Sequence, residues 1–91
     1  MRVVKSSIFN TQFQELLYFI AKDSKTRAKN FRIEILEKLE KLSFMPYKNR
    51  KSIYFNDENI RDFIYKGYVV PYKIDKEQIV IIGINKYKID L

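Results

Sequence analysis

The sequence predicts an α+β fold: an N-terminal strand, then an antiparallel helical hairpin packed on a mostly antiparallel sheet of about four strands. Three observations predict it. Apolar residues recur at helical spacing as far as Leu42, the pattern switches to strand-length apolar runs after Pro46, and only a short break separates the two helical stretches. The chain has 91 residues and a mass of 11.1 kDa, which is the size of one domain, 1–91.

Val3 and Val4 form the first strand. Ser7 is placed to cap a helix over about 8–21, in which Phe9, Phe13, Leu16, Leu17 and Ile20 make one apolar stripe. Asp23-Ser24 breaks that stripe and offers a second cap. Ala28, Phe31, Ile35, Leu39 and Leu42 then mark a second amphipathic helix, ended by Pro46. Its polar face carries Glu34–Lys38 and Glu37–Lys41 in the favourable i,i+4 orientation. Two or three linking residues imply a hairpin.

Strands are expected at Ile53-Tyr54-Phe55, Ile60 to Lys66, Tyr68 to Ile74 and Gln78 to Ile84. Turns fall at 56–59, at Gly67 and at 75–77. Pro71 has no N–H for a ladder, so it belongs at an edge or a bulge. The expected core includes Phe13, Leu17, Ile35, Leu39, Val80 and Ile82.

The residue inventory removes whole classes of chemistry. There is no Cys and no His, so there is no disulfide, no thiolate or Ser-His-Asp catalysis and no Cys or His metal site. Two isolated glycines cannot build a phosphate loop or a dinucleotide fingerprint. Asp57, Glu58 and Asp62 lie close in sequence, but a turn rich in Asn and Asp explains the first two, and neither a metal nor a cofactor is expected. The longest apolar run, 79–84, is far short of the roughly 20 residues a bilayer needs, and no secretion signal is visible; a cytoplasmic setting with no membrane contact is expected.

The charge is the strongest pointer to a partner. Eighteen basic residues against eleven acidic give +7, divided +4 over 1–45 and +3 over 46–91. A domain this basic is expected to meet nucleic acid, an acidic protein or an anionic surface. In the second half Lys48, Arg50, Lys51, Arg61, Lys66, Lys73, Lys86 and Lys88 interleave with six tyrosines. Such a pattern suits phosphates and bases, and it equally suits a sheet that guards its edges with lysine. Arg61 stands out, opening an apolar strand in Ile60-Arg61-Asp62-Phe63. The plainer expectation for it is a pairing with Glu34 or Glu37 of the second helix.

Several features, taken in order, resemble the RelE/ParE superfamily of type II toxin–antitoxin toxins. They are the Phe13 to Ala21 helix, the Phe31 to Leu42 helix closing at Met45-Pro46, the Ile60-Arg61-Asp62-Phe63 strand, the 67–75 segment opening Gly67-Tyr68 and containing Pro71-Tyr72-Lys73, and the Ile79 to Ile84 strand with a basic end. The resemblance covers nearly the whole chain. It implies a growth-inhibiting toxin neutralised by an acidic antitoxin that wraps it.

Two targets divide that superfamily. RelE-like members cut mRNA on the ribosome, and ParE-like members poison DNA gyrase. RelE-like ribonucleases commonly carry an arginine after the Gly-Tyr pair, where Val69 stands here, and a Gly-Lys-Arg end, where this chain reads Asn85-Lys86-Tyr87-Lys88. These departures favour the gyrase poison, with ribosome-dependent mRNA cleavage as the alternative. The expected target-binding residues are Arg61, Lys66, Lys86, Tyr87 and Lys88. If the protein is a ribonuclease, Arg61, Lys86, Tyr87 and Lys88 are the catalytic set. A non-toxic nucleic-acid-binding module fits the composition but not the ordered resemblance.

Overall fold

The computed structural model describes residues 1–87. Strand β1 (Arg2–Lys5) leads into helix α1 (Ser7–Asp23), and the single residue Ser24 joins it to α2 (Lys25–Glu40). Two 3-10 turns, Lys41–Ser43 and Pro46–Lys48, and a long loop precede β2 (Ile60–Tyr65), β3 (Tyr68–Ile74), β4 (Gln78–Ile81) and β5 (Asn85–Lys86). The sheet order is β1-β4-β3-β2, and β5 pairs with β3. β1 runs parallel to β4 and every other strand pairing is antiparallel.

Each helix starts on a serine cap. Ser24 Oγ accepts the Arg27 N–H at 3.1 Å, as expected. The first cap is Ser6 rather than Ser7: its backbone is extended and its Oγ accepts the Phe9 N–H at 3.0 Å, while Ser7 is already helical. Ser6 also donates to the Ile82 carbonyl at 2.8 Å, tying the start of α1 to the end of β4. Helix α2 ends at Glu40, six residues before Pro46, because the chain tightens into a 3-10 turn that buries Leu42.

Strand alternation puts Phe63, Val70, Tyr72, Ile74, Ile79 and Ile81 on one face of the sheet. Phe9 and Phe13 of α1 and Phe31, Ile35 and Leu39 of α2 pack on that face. Burying each of these large side chains stabilises the fold by roughly 1.5–3 kcal/mol. Phe13, Ile35 and Leu39 are core, as expected, and Leu17 packs against it half-buried. Val80 and Ile82 are not core. Ile79 and Ile81 are fully buried instead, and the expected pair is half-buried on the other face. The run from Ile79 to Ile82 is apolar at every position, so its alternation carries no information about which face is inside.

Three further expectations are corrected. Ile53-Tyr54-Phe55 is a bend and not a strand, because its backbone donors go to side chains: Ile53 N to Asp62 Oδ2 and Tyr54 N to Ser52 Oγ, both at 3.2 Å. The strand expected over Gln78 to Ile84 stops at Ile81, and the short β5 follows it. Pro71 lies in a central strand, but at the point where β4 leaves β3 and β5 has not yet joined it. Only its carbonyl is used there, accepting the Ile82 N–H at 2.9 Å. The Gly67 turn is as expected: Lys66 (φ 48) and Gly67 (φ 82) are both left-handed, as a two-residue hairpin turn requires.

Candidate functional site

The helices cover one face of the sheet. The other presents Ile60, Asp62 and Ile64 of β2, Val69, Pro71 and Lys73 of β3, and Val80 of β4. The 49–59 loop frames this open face. It first runs beside β2, with Ser52 N donating to Ile60 O at 2.8 Å and Asp62 N to Arg50 O at 3.1 Å. It then folds back through a turn in which Asp57 Oδ1 accepts the Asn59 N–H at 2.8 Å.

Tyr72 and Arg61 fix that loop. The Tyr72 hydroxyl donates to Pro46 O at 2.6 Å and accepts from Asn49 Nδ2 at 3.0 Å, and burial pushes its pKa up. Arg61 donates through Nε to Glu58 O at 3.0 Å and through Nη1 to Asn49 O at 3.3 Å, so one guanidinium holds both ends of the loop. It lies 4.9 Å from the Tyr47 ring centroid and pairs with Glu58 at 3.6 Å. The expected partners Glu34 and Glu37 are not used; strand β2 carries Arg61 to the loop end of the sheet.

Asp62 is the buried charge of the open face, 2% exposed. Its Oδ2 accepts from Arg50 Nη2 at 3.2 Å, from Arg50 Nε at 3.3 Å and from the Ile53 N–H at 3.2 Å; its Oδ1 has no hydrogen-bond partner among the described residues. Arg50 also donates through Nη1 to the Tyr87 hydroxyl at 3.4 Å and lies 5.3 Å from that ring's centroid. The Tyr87 hydroxyl, and then the Asp62 carboxylate, hold the guanidinium above its ordinary pKa. Asp57, Glu58 and Asp62 are thus engaged separately, in a turn, with Lys51 and Arg61, and with Arg50.

Where β4 leaves β3, a recess of about 410 Å³ opens beside Pro71. Ile8, Tyr54, Phe55, Val69 and Ile82 give it apolar walls, and Gln12, Asn85 and Lys86 supply polar ones. Gly83 lets Gln12 come close: a Cβ there would meet Gln12 Oε1 at 2.6 Å, the atom that accepts the Ile84 N–H at 2.9 Å.

Of the sequence-predicted site residues, Lys66, Lys86 and Tyr87 gather at one end of β3. Lys86 is opposite Tyr68, Tyr87 N donates to Gly67 O at 2.7 Å, and Lys66 sits in the adjoining turn. Lys66 pairs with Glu34 at 3.1 Å, and Tyr65 donates to the same carboxylate. The Glu34 carboxylate is taken by Lys66 and Tyr65, and the expected Glu34–Lys38 and Glu37–Lys41 ion pairs are absent among the described residues. Arg61 is opposite Tyr72, about 13 Å farther along β3. Lys88 lies outside the described residues. Sequence reasoning singled out Arg61 and not Arg50, although a carboxylate in an apolar strand, Asp62 between Arg61 and Phe63, already demanded a nearby cation.

Among the described residues no helix is long and apolar enough to cross a membrane. The family model of the ParE toxin of the parDE type II toxin–antitoxin system matches residues 3–90. Among solved structures, a chain of the chromosomal ParDE TA system from P. aeruginosa is similar in fold. Its TM-score is 0.78, 97% of each chain is covered and the identity is 11%. No curated protein matches the sequence.

Proposed function

We propose that this chain, which belongs to the ParE toxin family of type II toxin–antitoxin systems, is the toxin of such a pair, is neutralised by an acidic antitoxin and arrests growth by poisoning DNA gyrase. The net charge of +7 supports an acidic partner. What carries the choice of a non-catalytic poison is that the polar ends of Arg61, Lys66 and Tyr87 are engaged by other groups of the protein, with Arg61 about 13 Å along β3 from Lys86. Cutting RNA needs a base, an acid and donors aimed at one developing charge. Here Arg61 is committed to Asn49 and Glu58, Lys66 to Glu34, and the Tyr87 hydroxyl to Arg50. Val69, buried in β3, offers no donor.

A poison needs a shaped surface that traps its target. The open face, with its apolar recess lined in part by Lys86, supplies one, while Lys66 at the β2–β3 turn reaches to the helix side, where it pairs with Glu34. Inducing the protein without its antitoxin tests the reading. DNA breaks and a DNA-damage response with intact mRNA are expected. Cleavage of translated mRNA within minutes, with DNA unbroken, would replace gyrase by the ribosome as the target.

A further inference from the structure

We propose that the depression around Phe44 and Met45 is a docking site for an acidic segment of the antitoxin that carries a bulky apolar side chain. The inference rests on the antitoxin pairing proposed above. It adds a surface separate from the open face, because Phe63, one of its walls, lies on the helix-packed side of β2.

After α2 ends, the 3-10 turn tucks Leu42 into the core and throws the next two apolar residues outward. Phe44 is 81% exposed and Met45 65%. They are held there by a defined backbone: Phe44 N donates to Lys41 O at 3.1 Å, Lys48 N to Met45 O at 3.1 Å, and the Tyr72 hydroxyl anchors Pro46 O. A depression of about 360 Å³ lies between them, with Leu42 and Phe63 as apolar walls.

Lys38, Lys41 and Lys48 line its margin, and none of the three forms an ion pair among the described residues. The neighbouring carboxylates are drawn elsewhere: Glu34 to Lys66, Glu40 to Lys5 at 3.5 Å, and Glu58 to Lys51 and Arg61. Glu37 is the remaining exposed carboxylate on this stretch of α2. Lys38 stands over the Tyr65 ring at 5.7 Å and within electrostatic reach of Glu34, but three lysines without an ion pair around an apolar depression remain complementary to a carboxylate-rich segment with a Leu or Phe to insert. A nucleic acid would answer the lysines but has no aliphatic side chain to fill the space between Leu42 and Phe63. Met45 suits such a role, since its flexible thioether adapts to the inserted group.

The chain's two methionines make a footprint possible, because Met1 is also exposed and serves as an internal reference. The protein would be purified with the acidic product of the adjoining reading frame and treated with dilute hydrogen peroxide. Sulfoxide formation at Met45 should slow at least tenfold in the complex while Met1 is unaffected. Phe44→Ser/Met45→Ser and Lys38→Gln/Lys41→Gln/Lys48→Gln should each raise Kd at least thirtyfold, the lysine variant with a shallower salt dependence. A complex in which Met45 oxidises at the free rate and the variants bind normally would overturn the docking site and leave the antitoxin pairing intact. Failure to form any complex would remove the pairing and the site with it. Protection of Met45 by single-stranded RNA but not by the antitoxin would also overturn it.

Discussion

The Arg50 guanidinium stands against the buried carboxylate of Asp62, with Nη2 and Oδ2 3.2 Å apart. That contact joins the 49–59 loop to the open face of the sheet and, through the Tyr87 hydroxyl, to the residue that follows β5.

Removing Arg50 should therefore cost more than a surface charge does. Arg50→Ala leaves Asp62 buried and unpaired, for which a fully buried pair would lose about 3–5 kcal/mol. Arg50 is about one-third exposed, so roughly 2 kcal/mol is expected, seen as a Tm about 10 °C lower. Adding Asp62→Asn should recover part of the loss, since it removes the stranded charge. A Tm unchanged in Arg50→Ala would contradict the pairing.

Gly83→Ala tests the contact between α1 and the segment after β4. The new methyl would displace Gln12 Oε1 and strand the Ile84 N–H, in a residue that is buried. A loss of about 1–2 kcal/mol is expected in denaturant unfolding. Gln12→Ala alone should lose a similar amount, and the two changes together should be less than additive.

The Glu34, Tyr65 and Lys66 cluster gives stability a pH signature at both ends. The Tyr65 hydroxyl, and then Lys66, hold the Glu34 carboxyl below its ordinary value of 4.5. Its contribution is present above that value and is lost as pH falls through the lowered one. Tyr65 is raised by desolvation and then by Glu34, and Lys66 is raised by Glu34. Their contributions are full below their ordinary values near 10 and 10.5 and are lost as pH rises through the raised ones. Thermal unfolding from pH 2 to 11 should show wild type losing more than Glu34→Gln on both limbs. Parallel curves would contradict the cluster.

How much of this was legible in the sequence depended on whether a pattern was periodic or relational. The two helices and the β2–β3 hairpin are written in local spacing and in Gly67, and they stand within a residue or two at nearly every boundary. The end of α2 is the exception. The face of β4 was not legible, because four consecutive apolar residues fit either face and only the pairing with Tyr72 and Ile74 decides. Nor was the Ile53–Phe55 bend, whose apolar residues have strand composition while their N–H groups answer to Ser52 and Asp62. Arg61 was legible as a half-buried arginine but its partner was not: Glu58 is three residues away, whereas Glu34 is taken by the hairpin turn.

Tyr87 separates the two modes of action. Its ring lies against Arg50 and only its hydroxyl accepts a hydrogen bond. In a poison, Tyr87→Phe keeps the ring and should change potency no more than about threefold, while Lys86→Glu, reversing a charge beside the recess, should lower it at least tenfold. In a ribonuclease using the hydroxyl as acid or base, Tyr87→Phe would lose about a hundredfold or more. Growth arrest at graded expression levels reads the difference.

The most direct test is made with purified components: gyrase, supercoiled plasmid and this protein without its antitoxin. The proposed function predicts plasmid linearised on adding detergent and protease, in proportion to the protein added, with that product lost when the acidic antitoxin is supplied first. Plasmid that gyrase processes normally at every concentration, together with cutting of mRNA on translating ribosomes by the same preparation, would contradict it.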